Sequence, residues 1–182
     1  MRSLCLLAAL AALTGGAALA QEPAKPPPLD GPSVTFKDPL VEALTGEWIA
    51  TGKMMGRAFR HRISASWVLN HQFVQLHFLD LDEPAKGHER YEALVYLGRD
   101  NMSERYVAHW IDIFGGRMSE PLGFGTREGD AIRFVFEYPD SPFQTTFSWN
   151  AKAGTWGVLM RQKSGAGAWE VFADQTLARE KK

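Results

Sequence analysis

From residue 47 to residue 179 this chain alternates apolar and polar side chains with a period of two, a pattern that suits half-buried β-strands and little else. Phe59, His61, Ile63, Ala65 and Trp67 alternate with Arg60, Arg62, Ser64 and Ser66. Ile132, Phe134, Phe136 and Tyr138 are interleaved with Arg133, Val135 and Glu137, and Phe143, Thr145, Phe147 and Trp149 with Gln144, Thr146, Ser148 and Asn150. Trp156, Val158 and Met160, then Trp169, Val171 and Ala173, continue the pattern. Segments 73–81, 91–98, 106–113 and 118–127 supply further strands.

Asn-, Asp- and Gly-bearing stretches at 69–71, 98–101, 128–130, 150–154 and 164–167 punctuate these runs as turns. Links this short join sequential antiparallel neighbours. About ten strands in such a meander leave two exposed edges, which closure into a barrel removes. A two-sheet sandwich needs long crossovers, which the spacing does not offer. Ahead of the strands, Asp38-Pro39 reads as an N-cap followed by proline at the first helical position. Leu40, Val41, Ala43 and Leu44 form a short apolar helix, with Gly46 placed to end it. The expected fold is therefore all-β, an up-and-down antiparallel barrel with a short N-terminal helix plugging one end.

Residues 1–20 carry the marks of a secretory signal: Arg2, an apolar stretch over 4–13, and Ala18-Leu19-Ala20 for cleavage after Ala20. The apolar stretch is shorter than the ~20 residues a membrane span needs. The chain's single cysteine, Cys5, lies inside this segment. The processed chain would have no thiol for disulfides, metal or catalysis. Residues 21–37 follow as a linker, with Pro23, Pro26, Pro27, Pro28 and Pro32 holding it extended. Residues 38–182 make one domain, and a periplasmic or secreted location is expected. Of 20 basic and 21 acidic residues, removal of Arg2 leaves 19 against 21, a net charge of −2. Basic residues are dispersed, so the phosphate-neutralising surface of a nucleic-acid binder is missing.

Four motifs carry a family resemblance. Leu44-Thr45-Gly46-Glu47-Trp48 with Gly52 resembles the opening L-x-G-x-W-x-x-x-G of the domain of unknown function 1579 family. Tyr91, Ala93, Gly98 and Asp100 are similar to its Y-x-A-x-x-x-x-G-x-D hairpin. Tyr106, Trp110, Asp112 and Gly115 resemble its Y-x-x-x-W-x-D-x-x-G strand, and Trp169 with Arg179 its closing W and R. The resemblance implies a calycin-like barrel, similar to the lipocalins and to nitrobindin-type haem proteins. It also implies that Trp48 caps one end with Arg179 packed across it, a structural pair rather than a catalytic one. Haem does not carry over: the ligating histidine of those proteins comes late, and here no His follows His109. No cofactor is expected.

Candidate chemistry is sparse. His61, His77 and His109 lie on nearby strands and a three-histidine metal site is open to them, although no close-spaced His pair occurs. His109, among Val107, Ile111 and Ile113, is expected to face an apolar interior or contact. Tyr106, Trp110 and Asp112 share one strand face and can offer polar tips and aromatic walls to a ligand. Phe134, Phe136, Phe147, Trp149, Trp156 and Met160 are expected to look inward. Ten strands enclose more space than the roughly eight that side chains just fill, which favours a lumen for an apolar or amphipathic small molecule. The alternative is an envelope scaffold or interaction protein with a filled barrel. No hydrolase or phosphate-binding motif is present.

Overall fold

The computed structural model describes residues 35–180. The signal and most of the linker lie outside the described residues. A helical turn α1 (Pro39–Glu42) leads into ten strands: β1 (Gly46–Met54), β2 (Arg57–Val68), β3 (Phe73–Asp80), β4 (Glu92–Arg99) and β5 (Tyr106–Asp112), then, after a second helical turn α2 (Gly116–Ser119), β6 (Leu122–Glu128), β7 (Ala131–Glu137), β8 (Pro142–Asn150), β9 (Thr155–Lys163) and β10 (Trp169–Arg179). Each strand pairs antiparallel with its chain neighbours, and β1 with β10 closes the barrel from Trp48↔Arg179 to Met54↔Ala173. The fold is the expected ten-stranded, up-and-down, calycin-like barrel.

The alternation is what closes it. On β2, β7 and β8 the residues at every second position (Ile63 and Ala65, Phe134 and Phe136, Thr145 and Phe147) are buried. Arg60, Arg62 and Ser66 between them are exposed. The core is the barrel interior, filled chiefly by Trp48, Trp156, Phe78, Phe134, Phe147 and a layer of Val, Leu and Ile.

α1 covers one end. The Asp38 carboxylate accepts the Leu40 N–H at 2.8 Å, supplying the N-cap. Leu40, Val41 and Leu44 are buried against the barrel. The indoles of Trp48 and Trp156 donate to the Leu44 and Ala43 carbonyls at 2.7 and 3.3 Å, so the orphan acceptors at the helix end are satisfied from inside the barrel. Phe36, assigned to the linker by composition, is buried too, and its N–H donates to the His71 carbonyl.

Two local expectations are corrected. The segment 118–127 is not strand throughout: Gly116–Ser119 is helical and β6 begins at Leu122. Its apolar spacing mimicked a strand, but Tyr138 Oη and His109 draw the Met118 and Ser119 carbonyls into a turn. Gly46 does not end the helix, which is capped at Ala43. It opens β1 with φ +114°, and a Cβ there would lie 2.1 Å from Arg179 Nη1. The glycine makes room for the guanidinium.

Candidate functional site

Trp48 and Arg179 meet as the sequence suggests. The Arg179 guanidinium lies 3.8 Å from the centre of the Trp48 ring. It donates to the Ala43 carbonyl at 3.2 Å and also to the Thr45 carbonyl. Such a cation–π contact contributes about 0.5–2 kcal/mol. Trp48 is completely buried, so the pair clamps the junction of α1, β1 and β10.

The candidate lumen residues divide between the two ends of the barrel. Tyr106 belongs to the α1 end: its hydroxyl donates to Asp38, which also accepts from Arg127 Nη1 at 2.8 Å. Burial raises the Asp38 pKa, but the Tyr106 hydroxyl, the Leu40 amide and Arg127 outweigh it and hold the carboxyl below its ordinary value. Trp149 and Trp156 pack here with ring centres 5.3 Å apart, and Trp149 meets Trp48 edge-on at 6.4 Å. Phe134 and Phe147 cross edge-on at 6.2 Å in the middle of the core. Phe134, Phe147 and Trp156 are buried in the interior, while Tyr106 and Trp149 are half-buried against it.

Trp110, Asp112, Phe136 and Met160 lie towards the opposite end. Trp110 Nε1 donates to Tyr91 Oη at 3.2 Å, and its ring lies 5.1 Å from Phe78. Asp112 pairs with inward-facing Ala93 and so faces inward itself. Burial pushes its carboxyl above the usual range, against a single opposing hydrogen bond from the Phe114 amide. Tyr91 and Tyr138 stand close by, and burial raises both hydroxyl pKa values, with the Asp112 charge adding to the effect. The rings of Phe59, Tyr91, Trp110, Tyr138, Phe143 and Phe172 all stay half-buried, forming a collar at the rim where Tyr138 Oη donates to the Met118 carbonyl of α2. Phe143 and Phe172 meet edge-on at 5.3 Å.

Three buried polar side chains stand on this side of the barrel, of which the sequence raised only His61, and that as a metal ligand rather than as part of a lumen site. His61 on β2, Thr145 on β8 and Gln175 on β10 are 4%, 1% and 4% exposed. Their Nδ1, Oγ1 and Oε1 atoms have no hydrogen-bond partner among the described residues. His61 lies between the rings of Phe59 and Tyr91 at 4.5 and 5.4 Å. Burial lowers its pKa, opposed by the charges of Asp80 and Asp82, which favours the neutral ring. Gln175 shares a level with Phe59, since both pair with Gly52. The period-two pattern marks these residues as inward. What it lacked was the neighbouring strand that would have shown each to be unpartnered.

The histidines do not converge. His77 points outward to Glu92 Oε1 at 2.6 Å. His109 also points outward, contrary to an interior position, and its Nε2 meets the Ser119 carbonyl at 2.8 Å. Neighbouring strands with opposite parity at these positions put His61 inside and the other two outside. Among the described residues no group of three or more His, Cys, Asp or Glu is arranged to hold a metal ion. No described helix is long and apolar enough to cross a membrane.

Two grooves lie outside the lumen. One, of about 250 Å³, runs over the outer wall of β7–β9 between Arg133, Gln144 and Arg161. The other, of about 320 Å³, borders the rim away from α1, between Met55, Gln162 and Phe172. The outer wall also carries an apolar strip on β5 and β6, where Ile111, Leu122 and Phe124 are 38–44% exposed. No protein-family model and no curated protein matches this chain.

Proposed function

We propose that this is an exported barrel protein, related to the domain of unknown function 1579 family, that binds an apolar or amphipathic small molecule in the half of its lumen away from α1. One observation carries the reading. His61 Nδ1, Thr145 Oγ1 and Gln175 Oε1 are buried, inward-facing and unpartnered, beneath a collar of half-buried aromatic rings. A buried polar atom left unpaired costs about 1–3 kcal/mol. A ligand that reaches these atoms recovers part of that cost and gains about 25 cal/mol for each Å² of apolar surface it buries. Export rests on the signal-like residues 1–20.

The test is native mass spectrometry of protein recovered from a bacterial periplasm. The reading expects a small-molecule adduct that is lost on denaturation. A bare mass that persists after incubation with envelope lipid extract contradicts it. That result would favour the scaffold reading, which the exposed strip of Ile111, Leu122 and Phe124 supports, since contiguous apolar surface marks interaction sites.

A further inference from the structure

The mouth away from α1 has a charge as well as an apolar lining. Asp112 ends β5 facing inward, and Asp80 ends β3 at the inward position opposite His61. Each carboxylate accepts one backbone N–H at 3.0 Å, from Phe114 and from Asp82 respectively. Neither forms an ion pair among the described residues. Arg90, the cation beside Asp80, donates to that residue's main-chain carbonyl and pairs with Glu83 instead.

Carboxylates directed into a partly desolvated site normally acquire a cationic partner, because an unpaired buried charge is expensive. Aromatic residues stand around Asp112: its charge acts on the Tyr91 and Tyr138 hydroxyls, Trp110 Nε1 donates to Tyr91 Oη, and Tyr138 Oη donates to the Met118 carbonyl. Aromatic faces bearing negative potential beside a carboxylate are the chemistry that receives ammonium groups. The buried atoms deeper in the lumen add to this picture. Gln175 Oε1 can only accept a hydrogen bond, and Thr145 Oγ1 and a suitably protonated His61 can accept one too.

We propose that the mouth takes an amphipathic organic cation, a protonated or quaternary amine on an apolar tail, with the ammonium group between Asp112, Asp80 and the aromatic collar and the tail directed into the lumen. This rests on the lumen-binding reading and adds the class of ligand. The raised pKa of Asp112 agrees with it, because a bound cation supplies the counter-charge that the folded chain lacks.

Three amphiphiles with one decyl tail test the assignment: decyltrimethylammonium, decyl glucoside and decyl sulfate. Each is titrated calorimetrically into the purified protein below its micelle concentration. The cation should bind about ten-fold or more tightly than the glucoside, as expected of a desolvated cation–π and carboxylate site. Asp112→Asn should erase that preference while leaving the glucoside affinity unchanged. Should Asp112→Asn fail to fold, Asp80→Asn serves in its place, and added salt should weaken the cation alone. If the glucoside or the sulfate binds as tightly as the cation, the charge assignment falls and the lumen reading stands. If none of the three binds, both fall.

Discussion

The two ends of this barrel are built from similar residues and used differently. At the α1 end Trp48, Trp149 and Trp156 pack on one another, and the indoles of Trp48 and Trp156 donate to helix-end carbonyls. Polar groups there are paired: Asp38 with Leu40, Tyr106 and Arg127, and Arg179 with Ala43, Thr45 and the Trp48 ring. Half-buried rings line both ends, but at the other end Asp112, Asp80, His61 and Gln175 face inward with few partners or none. An end that closes its hydrogen bonds is stabilised for its own sake. An end that leaves them open forgoes stability, and sites that bind ligands commonly do so.

The largest effect expected from this contrast is on stability at the closed end. Trp48→Ala should destabilise the protein by about 3–5 kcal/mol, the range for truncating a buried aromatic side chain. Trp110→Ala, at the half-buried mouth, should cost clearly less while removing ligand uptake. Urea midpoints of the two variants, measured side by side, would break the comparison if Trp110→Ala proved the more damaging.

Next comes the clamp. Gly46→Ala places a Cβ against Arg179 and keeps a positive φ, and should cost more than the ~1 kcal/mol of left-handed backbone alone. Combined with Arg179→Ala, the same substitution should cost less, because its clash partner is gone. A double-mutant cycle reads that coupling directly. Additive values would mean that the guanidinium does not fill the space over Gly46.

Gln175→Leu should move stability little, or raise it by up to about 1 kcal/mol, since an unpaired buried acceptor is exchanged for an apolar group of similar size. It should nonetheless weaken ligand binding. A large destabilisation would show that Gln175 serves the fold rather than the site.

The smallest effect is pH-dependent. Burial holds the folded-state pKa of His61 below the ordinary value of about 6.5, so the unfolded chain takes up this proton more readily than the folded one. The His61 contribution is complete above pH 6.5 and is lost as the pH falls towards the lowered folded value. Urea midpoints at pH 7.5 and 5.5 should therefore diverge more for the native protein than for His61→Phe. Equal divergence would exclude His61 as the source.

The barrel was legible in the sequence because strands of period two with short turns leave few ways to bury their apolar faces. Trp48 and Arg179 were legible through the resemblance of the opening and closing motifs, and the structure sets them opposite each other on β1 and β10. The mouth was less so. That Asp80 lies opposite His61, or that Gln175 shares a level with Phe59, depends on register between strands, which spacing along one strand does not carry. The helical turn at Gly116–Ser119 escaped for a related reason: the His109 and Tyr138 side chains that hold it come from β5 and from just past the end of β7. Phe36 was hidden by its proline-rich surroundings, although its burial depends on Trp67 and Tyr106, far along the chain.

The difference between the two ends can be read in one spectrum. The six tryptophan indole N–H signals of 15N-labelled protein include Trp48 and Trp156 under α1 and Trp110 at the mouth. On titration with decyltrimethylammonium, the account predicts that Trp110 shifts in a saturable manner while Trp48 and Trp156 stay in place. Shifts at Trp48 and Trp156 with Trp110 unmoved would put the site at the wrong end of the barrel and contradict it.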